Sequence, residues 1–146
     1  MKVFFASDHA GFEAKDALIN SLRKKYEIID LGPDKLDPND DYPVYAQKLS
    51  EAVIKTPDSM GILTCGSGEG MAIAANRLKG IRASVVWNEK VAQETRNDND
   101  SNVLSLPAWF LTNNQMIKIA KTWLKTPFSN VQRHIRRIRQ IEQTEN

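Results

Sequence analysis

The chain has 146 residues, with 41% hydrophobic and 26% charged side chains, enough for one globular domain with a core of its own. Twenty basic against eighteen acidic residues leave a formal charge of +2, too near neutral to argue nucleic-acid binding from charge alone. A single cysteine rules out an intrachain disulfide framework and fits a reducing compartment. The amino-terminal residues turn polar at Ser7-Asp8, too early for a signal peptide, and no apolar run reaches the length of a membrane span. The expectation is therefore a soluble cytoplasmic protein with no membrane partner.

Taken in chain order, Val3 to Ala6 reads as a buried strand whose polar exit is Ser7-Asp8-His9-Ala10-Gly11. A helix follows from Phe12 to about Lys25, then a strand from Tyr26 to Leu31 closed by Gly32-Pro33, and a polar loop from Asp34 to Asp41. Tyr42-Pro43 opens a helix to about Lys55, since proline suits a first turn whose N–H has no intrahelical partner. Met60 to Thr64 is the third strand, and Met71 to Leu78 the next helix. Ile81 to Trp87 is the fourth strand, and Glu89 to about Arg96 is helical. Val103 to Leu106 is the fifth strand, with helices at Asn113 to Lys125 and Asn130 to about Gln143.

Strands alternate with helices and are apolar on both faces. That pattern predicts a three-layer α/β/α, Rossmann-like domain around a five-stranded, mainly parallel sheet, with residues 1–146 forming one unit. In such folds ligands bind beyond the carboxyl ends of the strands. Ser7-Asp8-His9, Cys65 to Gly70 and the region after Trp87 are thus expected to gather at one edge.

The segment Cys65-Gly66-Ser67-Gly68-Glu69-Gly70 is the richest in chemistry. A thiol at a strand end is most often a small buried hydrophobe, and the glycine loop lacks the Lys-Ser/Thr of a P-loop. Together they fit a more specific use. Loop amides would stabilise a thiolate and an enediolate oxygen while the thiolate moves a proton next to a carbonyl. Asp8 is a natural helix cap, which leaves His9 free to face the same edge. The dense run Asn97-Asp98-Asn99-Asp100-Ser101-Asn102 has the composition of a turn and fits a calcium loop poorly. On the last helix Arg133 and Arg137 share a face, either as a solvated basic surface or as a clamp for phosphate. Without interleaved aromatics the patch is a poor nucleic-acid arm.

Ser7-Asp8-His9-Ala10-Gly11, Asp41-Tyr42-Pro43, Cys65 to Met71, Ile73-Ala74-Ala75-Asn76-Arg77, Gly80-Ile81-Arg82-Ala83, Asn99 to Leu104 and Arg133-His134 together resemble the type B ribose-5-phosphate isomerases. That family includes the subunits of galactose-6-phosphate isomerase, and the motifs fall in its order over nearly the whole chain. The resemblance implies metal-free, cofactor-free interconversion of an aldose phosphate and its ketose, most simply ribose 5-phosphate and ribulose 5-phosphate. It also implies a homodimer or tetramer of dimers with active sites shared between subunits, the helix near 130–143 contributing to both.

Carried over by position, Cys65 resembles the proton-moving base and Ser67 a hydroxyl that assists it. The amides of Gly66, Gly68, Glu69 and Gly70 resemble the anion hole. Asp8, His9 and Tyr42 match groups that contact sugar hydroxyls, Asn99 a substrate-binding asparagine, and Arg133 and Arg137 phosphate ligands. Two positions depart from the pattern. Asp98 stands where most members have a ring-opening histidine, and Trp109 where they have a phosphate-binding arginine. Both remove cationic character, and an inward-pointing Glu69 would add negative charge. Three alternatives stay open: a different ring-opening route, such as His134 or opening in solution; another sugar phosphate; or an unphosphorylated sugar stacked on Trp109. A non-catalytic binding subunit of a hetero-oligomer is the competing role.

Overall fold

The structure, a computed structural model, describes residues 1–144. A five-stranded sheet has the order β2-β1-β3-β5-β4. Its strands are β1 (Lys2–Ser7), β2 (Glu27–Asp30), β3 (Met60–Cys65), β4 (Ala83–Val85) and β5 (Val103–Pro107). Every strand pair is parallel, so the sheet is wholly parallel where mainly parallel was expected. The three central strands are buried along nearly their whole length, which is why they read as continuous apolar runs.

The helices are α1 (Phe12–Leu22), α2 (Tyr42–Lys55), α3 (Glu69–Ala75), α4 (Glu89–Asn99), α5 (Asn113–Lys125) and α6 (Gln132–Gln143). Two cores flank the sheet. On one face Phe5, Leu18, Leu22, Ile62, Leu104, Met116 and Trp123 pack beneath α1 and α5. On the other Phe4, Leu49, Leu63, Cys65, Met71 and Val103 pack beneath α2 and α3. Among the described residues no helix is long and apolar enough to cross a membrane.

Element boundaries moved where local chemistry outweighed periodicity. The first helix stops at Leu22 instead of Lys25, because residues 23–25 close a turn in which the N–H groups of Lys25 and Tyr26 both donate to the Leu22 carbonyl. The third helix begins at Glu69 and ends at Ala75, and β4 shrinks to Ala83–Val85. The fourth helix runs three residues beyond Arg96 to Asn99, then stops at Asp100, whose φ of 46° is left-handed.

Chain order and sheet order together create the site. From β1 the chain crosses outward to β2, then returns over the opposite face to β3 on the other side of β1. The crevice between the carboxyl ends of β1 and β3 is thus the topological switch point, where open parallel sheets bind ligands. Ser7 pairs in register with Thr64, so Asp8 and Cys65 emerge side by side. The exit of β1 is fixed by Ser7 N–H donating to the Gly32 carbonyl at 3.1 Å. Nearby, Lys15 on α1 is 1% exposed and donates to both carboxylate oxygens of Asp30 (2.7 and 2.8 Å) and to the Pro33 carbonyl (3.0 Å).

Candidate active site

At the switch point a cleft of about 430 Å³ is lined by Asp8, His9, Tyr42, Cys65, Gly66, Ser67, Glu69, Gly70, Ile73 and Trp109. It brings together two of the three segments that the sequence pattern placed at one edge, the β1 exit and the Cys65 loop, and adds Tyr42 from the start of α2 and Trp109 from beyond β5. The region after Trp87 does not reach it. Asn88 instead caps α4, its side-chain oxygen accepting from Val91 N–H at 2.8 Å. Glu69 does line the cleft, so its charge belongs to the site.

The floor is the buried Cys65. Gly68 N–H donates to its Sγ at 3.1 Å, and the amides of Ser67 and Met71 also point to the sulfur. Gly68 makes this turn possible because its φ of +79° is left-handed. Its carbonyl accepts from the buried Ser105 hydroxyl at 2.5 Å. The expected stabilisation of the thiolate is overridden. Burial raises the Cys65 thiol above its ordinary pKa and the Asp8 carboxylate adds to that, while the amides pull the other way and do not prevail. The loop amides are also less available than expected: that of Glu69 donates to Ser67 Oγ at 3.3 Å.

On the opposing wall Asp8 is buried, and its Oδ1 accepts from Gly11 N–H at 3.1 Å, the cap expected of it. Burial lifts its carboxyl above the usual range, a rise moderated by the Gly11 amide and by His9. Gly11 leaves no room for a side chain, since a Cβ there would stand 2.2 Å from the Thr64 carbonyl oxygen. His9 Nδ1 lies 2.7 Å from Asp40 Oδ1, which also accepts the His9 backbone N–H at 3.2 Å. That hydrogen bond raises the imidazole above its ordinary value, reinforced by the charge of Asp8. Asp8, His9 and Asp40 each offer an atom within 4.8 Å of the others, the spacing of a small polar cluster. Asp40 was not singled out from the sequence, because one aspartate in a polar loop before a proline reads as turn chemistry.

Trp109 forms the rim, 70% exposed, with its backbone N–H donating to the Gly66 carbonyl at 2.9 Å. The indole lies flush on Gly66: a Cβ there would meet the ring at 2.4 Å. Tyr42 covers Gly70 in the same way, at 2.7 Å. Both glycines therefore admit an aromatic wall that any side chain would displace.

The remaining sequence candidates form a second group elsewhere in the same chain. Asp98 and Asn99 end α4, beside the amino end of β5, whereas the cleft lies at the carboxyl ends. His134 is buried, with Nδ1 2.9 Å from Ser129 Oγ and Nε2 3.7 Å from Asp98 Oδ1. Arg133 and Arg137 stand exposed on α6. Asn99 borders a separate cleft with Asn76, Arg82 and Ser84. The rest of the polar run serves as architecture. Asp100 binds Arg82 and Arg96, Ser101 accepts from the Trp123 indole at 2.8 Å, and Asn102 bridges Arg82 and Gly80.

A cysteine, carboxylates and a histidine at the switch point of a parallel sheet define a small-molecule enzyme site, not a nucleotide-binding P-loop. The ribose/galactose isomerase family model matches residues 3–141. The chain is 43% identical over 140 residues to a probable ribose-5-phosphate isomerase B of Mycoplasma pneumoniae, covering 95% of this chain and 91% of that protein. The structure of ribose-5-phosphate isomerase B from Mycoplasma genitalium, solved with bound ribulose-5-phosphate, superposes with a TM-score of 0.95 at 41% identity, over 99% of this chain and 95% of that one. The enzyme from Thermotoga maritima superposes at 0.93 with 40% identity over 98% of each chain. The chain belongs to the ribose/galactose isomerase family and is an aldose–ketose isomerase.

Proposed function

We propose that the chain interconverts ribose 5-phosphate and ribulose 5-phosphate, with Cys65 moving a proton between C1 and C2. The observation that carries this reading is the buried sulfur at the floor of the switch-point cleft, ringed by backbone amides and facing Asp8, His9 and Tyr42. The names of the relatives and the ribulose-5-phosphate bound by one of them support the choice of sugar.

In the aldose-to-ketose direction the thiolate takes the C2 proton while the C1 carbonyl accepts the electron pair, giving an enediolate. The thiol, its proton exchanging with solvent during the lifetime of the enediolate, then protonates C1, and the O2 hydroxyl proton passes to O1. Asp8, His9 and Tyr42 hold the sugar hydroxyls, and the Ser67 hydroxyl assists beside the sulfur. A thiol raised by burial is a stronger base once ionised, but a smaller fraction of it is ionised at neutral pH.

Asp98, Asn99, Arg133, His134 and Arg137 enter this scheme through a second copy of the chain, forming a homodimer or a tetramer of dimers. Within one copy they stand beside the opposite end of the sheet from Cys65. The arginines, four residues apart, suit a phosphate with paired donors. The reaction needs no metal or cofactor, and its setting is the reducing cytoplasm.

A second reading, a binding subunit without turnover, draws on Asp98 and on Trp109, which gives the cleft an aromatic rim in place of a cation. Incubating the purified chain with pentose and hexose phosphates, and with the unphosphorylated sugars, separates the two. Turnover of ribose 5-phosphate above the others is expected. Binding without turnover of any sugar would favour the second reading.

A further inference from the structure

We infer that Asp40 is a positioning residue: it holds the His9 ring so that Nδ1 carries a proton and Nε2 is the nitrogen presented to the sugar. This inference rests on the isomerase reading of the cleft. Its basis is geometric. A single carboxylate oxygen, Asp40 Oδ1, takes both the backbone N–H and the ring Nδ1 of His9, at 3.2 and 2.7 Å. A carboxylate oxygen only accepts, so the shorter contact requires the proton on Nδ1, and the second anchor fixes the ring's base to the same atom.

The burial pattern gives the pair a direction. The Asp40 side chain is 4% exposed and that of His9 40% exposed, so the carboxylate is the hidden member and the imidazole the presented one. The other oxygen, Asp40 Oδ2, is buried and has no hydrogen-bond partner among the described residues, so the carboxylate's hydrogen bonds there run to His9. This is the arrangement by which a buried carboxylate sets the tautomer of an active-site imidazole.

The groups around His9 define what its titration would report. Asp37 and Asp40 face it from the loop before α2, Asp8 precedes it, and Cys65, Glu69 and Tyr42 line the cleft with it. All those that carry charge are acidic, and the direction of the shift at His9 is upward, with the Asp40 hydrogen bond as its main cause. The ring therefore takes up a proton more readily than a free imidazole, in a cleft otherwise lined by carboxylates and a thiol.

The test uses nitrogen-15 NMR of the full chain without sugar, beside steady-state kinetics with ribose 5-phosphate. The chain has two histidines, so His9→Gln assigns the signals directly. In Asp40→Asn and Asp40→Ala, the His9 titration midpoint is expected to fall and the bias toward Nδ1–H to be lost. For kcat/KM a loss of about 10- to 100-fold is expected, as for other groups that orient a functional histidine. Asp40→Glu should recover part of it, and in a His9→Gln background the loss should nearly vanish. An unchanged His9 titration, or an equal loss in the His9→Gln background, would overturn the inference. Because the titration needs no substrate, an inactive wild-type chain would contradict the isomerase reading while the NMR still decided the role of Asp40.

Discussion

At Cys65 burial and the neighbouring Asp8 carboxylate raise the thiol, while the amides of Gly68, Met71 and Ser67 lower it, and the raising influences win. Catalysis through the thiolate should therefore still gain with pH above neutrality. The kcat/KM profile for ribose 5-phosphate is expected to rise toward alkaline pH, and a profile flat from pH 7 to 9 would argue for a different base. Asp8 carries a cost of its own. Its carboxyl is raised by burial, so the folded chain binds the proton more tightly than the unfolded chain does. That contribution to stability is present below the unfolded-state value and is lost as pH rises through the folded-state value. Asp8→Asn keeps the acceptor for Gly11 N–H and removes the charge. It should melt higher than wild type at pH 7, with the gain disappearing near pH 3, and should lose sugar affinity. A lower melting temperature at pH 7 would show that the charge stabilises the fold.

At the scale of elements, the loops of the site are specified by close approach. At Gly11 the obstacle to a side chain is the Thr64 backbone, which cannot swing aside; at Gly66 it is the exposed Trp109 ring, which can. Gly11→Ala is therefore expected to cost about 3 kcal/mol in chemical denaturation, at the upper end for overpacking, and Gly66→Ala roughly 1 kcal/mol or less. Equal costs would mean that the indole is as rigidly held as the backbone. The strand–helix alternation was legible because both faces of the central strands are buried, and the Cys65 loop because its glycines and its lone thiol are unusual together. Asp40 was not legible, since its partner is 31 residues away and only the fold brings them together. Nor was the pairing of Lys15 with Asp30: a lysine on a helix reads as solvated, and its burial at 1% exposure follows from the fold, which sets it against Asp30 at the end of β2. The sequence carries the lowering influence of the amides at Cys65 but not the net direction of its shift, for a related reason. The amides are visible in the glycine pattern, whereas desolvation depends on what packs above the loop.

For the whole molecule, the candidate residues divide between two ends of one sheet. Asp8, His9, Tyr42 and the Cys65 loop stand at the carboxyl edge, while Asp98 and Asn99 end a helix that leads into β5. A site that uses both sets needs two copies. Mixing inactive Cys65→Ala with inactive Arg137→Ala under conditions that exchange subunits should then restore about a quarter of wild-type activity, because half of the dimers carry one intact site of two. No recovery despite demonstrated exchange would confine the site to one chain. The reading as a whole turns on the sulfur. The most direct measurement is the exchange of sugar carbon-bound hydrogen with solvent deuterium during turnover of ribose 5-phosphate, in wild type and in Cys65→Ala. Wild type should form ribulose 5-phosphate with deuterium at C1, and Cys65→Ala should lose both turnover and exchange by about 10³-fold with its fold intact. Undiminished exchange in Cys65→Ala would contradict the assignment of Cys65 as the proton-transfer group.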